Sequence, residues 1–107
     1  MKQLKDKACS TISSNDLESL VGKIVKIKTL HRELVSEIKI VDLGEKKGFI
    51  GEFVGDENTL KRLYMLHDCY GIYRVGSYED SNLPALGVDL RPHTNGNKWL
   101  FEGISNN

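Results

Sequence analysis

From Leu20 to Gly55 the chain reads LVGKIVKIKTLHRELVSEIKIVDLGEKKGFIGEFVG, and this stretch holds much of its β-branched apolar content. Val25 and Ile27 alternate with Lys26 and Lys28, the period-two pattern of a strand with one buried and one wet face. A first strand is therefore expected over residues 23–30, with His31-Arg32-Glu33 as a short hairpin connection. A second strand follows over residues 34–43. Its apolar residues change parity, with Leu34, Ile38 and Ile40 on one side and Val35, Val41 and Leu43 on the other. A parity switch in a long strand implies a bulge or a bend. Glycines bracket the turn from Gly44 to Gly48. A third strand over residues 49–54 carries Phe49 and Phe53 on one side, and Gly51 inside it implies a bend or a close backbone approach. Three consecutive antiparallel strands are thus the organiser of the chain.

The flanking segments read as additions to that sheet. Residues 1–14 read as a frayed helix or an arm, because Leu4, Ala8 and Ile12 have helical spacing but a Ser/Thr run from Ser10 to Ser14 interrupts it. Asn15 with Glu18 three residues on forms a capping box for a short helix over residues 16–21, and Gly22 suits its C′ position. Asp56 or Asn58 can cap a second helix over residues 59–68, where Leu60, Leu63, Tyr64 and His67 fall on one face. A strand through residues 63–66 is the competing reading. A fourth strand is expected over residues 72–78, and a fifth over 85–91 after Pro84. The Asn95-Gly96 pair is a strong hairpin signal that would return a sixth strand, residues 98–104, beside the fifth.

A chain of 107 residues makes one domain, residues 15–107 after the N-terminal arm. The expected class is mainly β (α+β): a small antiparallel barrel or half-barrel of five to six strands with two or three short helices, which would solve the problem of exposed strand edges. The GKIVKIKT opening, after a short helix, resembles the first strand of SH3-like barrels. No apolar run approaches the ~18 residues of a membrane span. The MKQLKDKACS start has lysines with no apolar region behind them, so no secretory signal is expected. Two isolated cysteines, Cys9 and Cys69, fit free thiols in a reducing cytoplasm, although one disulfide between them is open.

The net charge of zero hides an asymmetry. Residues 1–32 carry seven basic side chains against three acids, a balance of +4, and residues 33–60 carry three against seven, a balance of −4. Opposed charged segments suit an oriented protein partner better than a polyanion, which selects a net basic face.

Few residue patterns carry chemistry. His67, Asp68 and Cys69 are adjacent, but neighbours on one helix point in different directions, so they make no nucleophile–base pair. A metal would need His31, His67, His93, Cys9 or Cys69 to converge, and none has paired ligand spacing. No glycine-rich phosphate loop is present, so no cofactor and no catalytic residue are expected. Lys26 and Lys28 on one face, with Arg32 nearby, could contact phosphates, or they could be a solvated face. Acidic strands two and three beside basic strand one favour cross-strand neutralisation, which weakens the phosphate reading.

Tyr64, Tyr70, Tyr73 and Tyr78 cluster with Arg62 and Arg74, residue types that make hot spots at protein interfaces and also stack bases. Tyr70, Tyr73, Arg74 and Tyr78 are the expected partner-binding residues. Tyr73 and Arg74, on opposite faces of one strand, are not expected to serve one surface.

The expectation is a cytoplasmic, non-catalytic binding protein: an adaptor, regulator or inhibitor of a protein partner. A small β-barrel that binds RNA or DNA is the alternative. A small-ligand binder or enzyme comes third, and would need His67, Cys69, His93 or the Glu79–Asp80 loop to converge on a pocket. A homodimer through an exposed strand edge, residues 49–54 or 99–104, would fit the pattern. The Lys/Glu/Ile/Asn-rich composition is of the kind seen in small bacterial or phage accessory proteins.

Overall fold

A computed structural model describes residues 8–29, 35–44, 47–65, 71–76, 83–91 and 99–105. Six strands form one antiparallel sheet: β1 (Ile24–Thr29), β2 (Val35–Leu43), β3 (Gly48–Val54), β4 (Ile72–Arg74), β5 (Ala85–Asp89) and β6 (Trp99–Ser105). Among the described residues there are also two α-helices, α1 (Ser14–Ser19) and α2 (Glu57–Met65), and a 3-10 turn at Cys9–Thr11. Among the described residues the strand order is β4-β5-β3-β2-β1-β6, so the sheet is open, with β4 and β6 at its edges. The β1-β2-β3 meander lies at its centre, where the alternation placed it.

Two expectations about the flanks are corrected. The Asn95-Gly96 signal does not set β6 beside β5. Both sides of β5 are taken, by β3 and β4, and β6 instead pairs with β1, with Phe101 opposite Ile27 and Leu100 opposite Lys28. Asn95 and Gly96 themselves lie outside the described residues. The edge expected over residues 49–54 does not exist either, because β3 is interior.

One face of the sheet carries the core. Val25 lies opposite Ile38, which lies opposite Phe53; Gly51 lies between Ile40 and Leu86; Phe49 faces Val88, which faces Ile72. All of these side chains are buried. The parity switch in β2 is a bulge at Val41, since Ile40 pairs with Gly51 while Asp42 pairs with Ile50. Lys26 stands opposite Glu37 on the other face, at 3.5 Å, and Lys39 opposite Glu52, so basic and acidic strands do meet across the ladder.

The N-terminal turn and the helices close the core. Cys9 and Ile12 are buried beside Leu17 and Leu20, and Ala8 forms a bridge with Leu100 of β6. Helix α1 starts two residues before the expected position. Ser13, in extended backbone, is its N-cap, and its Oγ accepts the Asp16 N–H at 3.1 Å. Gly22, at φ +93°, then turns the chain so that its N–H donates to the Ile40 carbonyl at 2.7 Å and opens the β1–β2 ladder.

The helical reading of the second flank holds, over Glu57–Met65, with Leu63 buried and Leu60 and Tyr64 packed on the core. Asp56 caps α2, its Oδ1 accepting the Thr59 N–H at 2.7 Å. That bond holds the Asp56 carboxyl below the ordinary carboxylate range. The cap therefore contributes above that range and is lost as pH falls through the lowered value.

Ser36 of β2 points into the core opposite Ile27, is 2% exposed, and its hydroxyl has no hydrogen-bond partner among the described residues. A buried hydroxyl without a partner costs about 1–3 kcal/mol of desolvation. Ser36→Ala is therefore expected to leave the denaturation midpoint unchanged or raise stability by up to about 1 kcal/mol. A loss of that size, read by urea unfolding, would show that the hydroxyl is bonded in solution.

Candidate functional site

The basic residues of strand one divide. Lys26 is half-buried and its ammonium sits against Glu37. Lys28, on the same face, is enclosed: its side chain is 1% exposed and its Nζ lies 2.7 Å from the Glu102 carboxylate of β6. An enclosed ammonium is not offered to solvent, so Lys28 does not stand in a phosphate-facing stripe as its alternation with Ile27 suggested. Arg32 lies outside the described residues. The carboxylate reaches Lys28 because β6 bulges at Glu102: Phe101 pairs with Ile27 and Gly103 with Lys26, leaving Glu102 as the extra residue.

The tyrosine segment gives a more definite arrangement. Helix α2 and edge strand β4 pack side by side. The Arg74 guanidinium lies over the Tyr64 ring, its Cζ 4.0 Å from the ring centroid. That is a close cation–π contact, attractive by about 0.5–1 kcal/mol at an exposed site. It holds the guanidinium at the ring, and none of the described residues accepts a hydrogen bond from its N–H donors.

Tyr73 is braced differently. It stands directly opposite Gly87 of β5, and a Cβ added at Gly87 would fall 1.9 Å from the tyrosine ring. The ring thus occupies the space a Gly87 side chain would take, while 44% of the residue stays exposed. Tyr64, Ile72, Tyr73 and Arg74 line one groove of about 260 Å³. Tyr73 and Arg74 do point to opposite faces, but β4 is an edge, and at a rim both faces open onto one groove. Their expected separation is in this sense corrected.

Tyr70 and Tyr78 lie outside the described residues, as do His31, His67, Asp68, Cys69, Glu79, Asp80 and His93. Gly87 escaped the sequence reading. The signal was there: an isolated glycine inside the apolar run from Ala85 to Val88 marks a place where something approaches the backbone closely.

Other features have structural explanations. Cys9 is a free, buried thiol, and burial pushes its pKa far above the ordinary thiol range, which keeps it neutral and unreactive. A second groove, of about 320 Å³, lies between α1 and the β2–β3 turn, lined by Ile12, Leu17, Leu43 and Lys47 among others. Neither Tyr73 nor Arg74, the described residues among those expected to bind a partner, lines it. Among the described residues no three His, Cys, Asp or Glu side chains converge as metal ligands. Among them, too, no helix is long and apolar enough to cross a membrane. No protein family matches the chain, and neither curated proteins nor solved structures provide a relative.

Proposed function

We propose that the chain is a non-catalytic binding protein that acts on a protein partner, as an adaptor, regulator or inhibitor, and meets it at the β4 rim. In this reading the sheet is a half-barrel, SH3-like in its first strand, whose open edge is the working one. The carrying observation is the Arg74 guanidinium, held over the Tyr64 ring beside the braced, exposed Tyr73. Arginine and tyrosine held in place lose little side-chain entropy on association, which is why such residues anchor interfaces.

The test uses immobilised wild-type protein and the Arg74→Ala and Tyr73→Ala variants, each checked for an unchanged unfolding midpoint, in lysate of the native cell. Wild type is expected to retain a stoichiometric protein, and each variant to retain at least tenfold less of it, about 1.4 kcal/mol per variant. Recovery of no stoichiometric protein, or equal recovery by all three, would overturn the reading.

A further inference from the structure

The backbone of β4 adds something its side chains do not. Gly71 accepts the Asp89 N–H at 2.9 Å, and Val75 donates to the Ala85 carbonyl at 3.2 Å, with Tyr73 directly opposite Gly87 between them. In an antiparallel pair, alternate residues turn their N–H and C=O toward the neighbour. Residues 71, 73 and 75 therefore face β5, and the backbone groups of Ile72 and Arg74 face outward. Among the described residues, none bonds to those outward groups. Nor does the Arg74 side chain make a hydrogen bond or an ion pair among them; its guanidinium lies over the Tyr64 ring.

We infer that β4 takes an extended acidic segment of the partner as a seventh strand, one of whose carboxylates is gripped by Arg74. The inference rests on the binding reading above and names its mode and chemistry. Strand addition uses the outward N–H and C=O groups of Ile72 and Arg74 for affinity and the groove beside Tyr64 and Tyr73 for side-chain selection. A carboxylate fits the free guanidinium edge through two parallel N–H···O bonds, which an amide or an ammonium does not match. A second copy of this chain is the less suitable occupant, because the same edge pairing with itself brings another Arg74 to the strand in place of an acid.

The test is amide exchange on ¹⁵N-labelled protein, read by NMR with an end-blocked hexapeptide of alternating valine and glutamate. Two controls accompany it: the valine–lysine counterpart, and the acidic peptide N-methylated at alternate residues. The acidic peptide is expected to slow exchange at Ile72 and Arg74 and to bind about tenfold more weakly to Arg74→Gln, a loss of about 1.4 kcal/mol. High salt should weaken it further.

Unchanged exchange at those two amides would overturn the inference. So would equal binding of the lysine peptide or of the methylated peptide. Protection that appears without peptide and grows with protein concentration would identify a second copy as the occupant and overturn it too. If the peptide fails while Arg74→Ala and Tyr73→Ala still lose the captured partner, strand addition is wrong and the binding surface stands. If those variants keep the partner, both fall.

Discussion

Gly51→Ala is expected to destabilise the protein by about 2 kcal/mol and lower its midpoint by roughly 10 °C. Gly51 sits in the middle of β3, an interior strand, with Ile40 opposite on one side and Leu86 on the other. A Cβ there would fall 2.3 Å from Ile38 Cγ2 and 3.0 Å from the Lys39 carbonyl oxygen. Ile38 is fully buried and its Cγ2 branches next to the backbone, so it has no room to swing aside. The carbonyl belongs to the ladder. Overpacking of this kind costs about 1–3 kcal/mol, and the stiffer unfolded chain of alanine returns only ~0.5–1 of it.

Gly103→Ala is the control. It is also a strand glycine, but nothing lies within 4 Å of an added Cβ, and its φ is not positive. It is expected to be neutral or stabilising by up to about 1 kcal/mol. Equilibrium unfolding of both variants checks the pair, and equal losses would mean that the close approach at Gly51 does not exist in solution.

The second large effect belongs to Lys28 and Glu102. Removing one member of a buried ion pair leaves the other charge enclosed, at a cost of about 3–5 kcal/mol. Glu102→Ala should fall at the low end, about 3 kcal/mol, because the carboxylate is itself partly exposed. Lys28→Met removes the enclosed charge and keeps the length of the side chain, so its loss should be under about 1.5 kcal/mol. The double variant Lys28→Met/Glu102→Leu should recover most of what Glu102→Ala loses. Denaturation of the set gives the comparison directly. If Glu102→Ala costs no more than Lys28→Met, water or other contacts satisfy the enclosed ammonium once the carboxylate is gone.

The central meander was legible because strand alternation is a local property. Val25 and Ile27, then Ile38 and Ile40, then Phe49 and Phe53 could be assigned to one face without knowing any partner strand. The bulge at Val41 was legible for the same reason: apolar residues on both parities of one strand require an extra residue. The bulge at Glu102 left a similar trace, since Phe101 and Ile104 differ in parity, but a glycine between them blurred it.

The candidate site was half legible. Tyrosine and arginine could be flagged by type, yet their juxtaposition needed α2 and β4 to be neighbours. The α1 cap shows the limit at short range. Asn15 with Glu18 read as the capping box, yet Ser13 is the N-cap, two residues earlier.

By itself, then, the sequence determined the strands, their inward faces, the two helices, and the opposition of basic and acidic segments, because each depends on residues close together in the chain. Tertiary structure alone decided that β6 lies beside β1 and not β5, that the enclosed Lys28 pairs with a carboxylate 74 positions away, and that Tyr73 and Arg74 share a rim. Pairing between distant strands depends on which edges remain free and which apolar faces fit. That competition is settled across the whole sheet, and no local pattern encodes it.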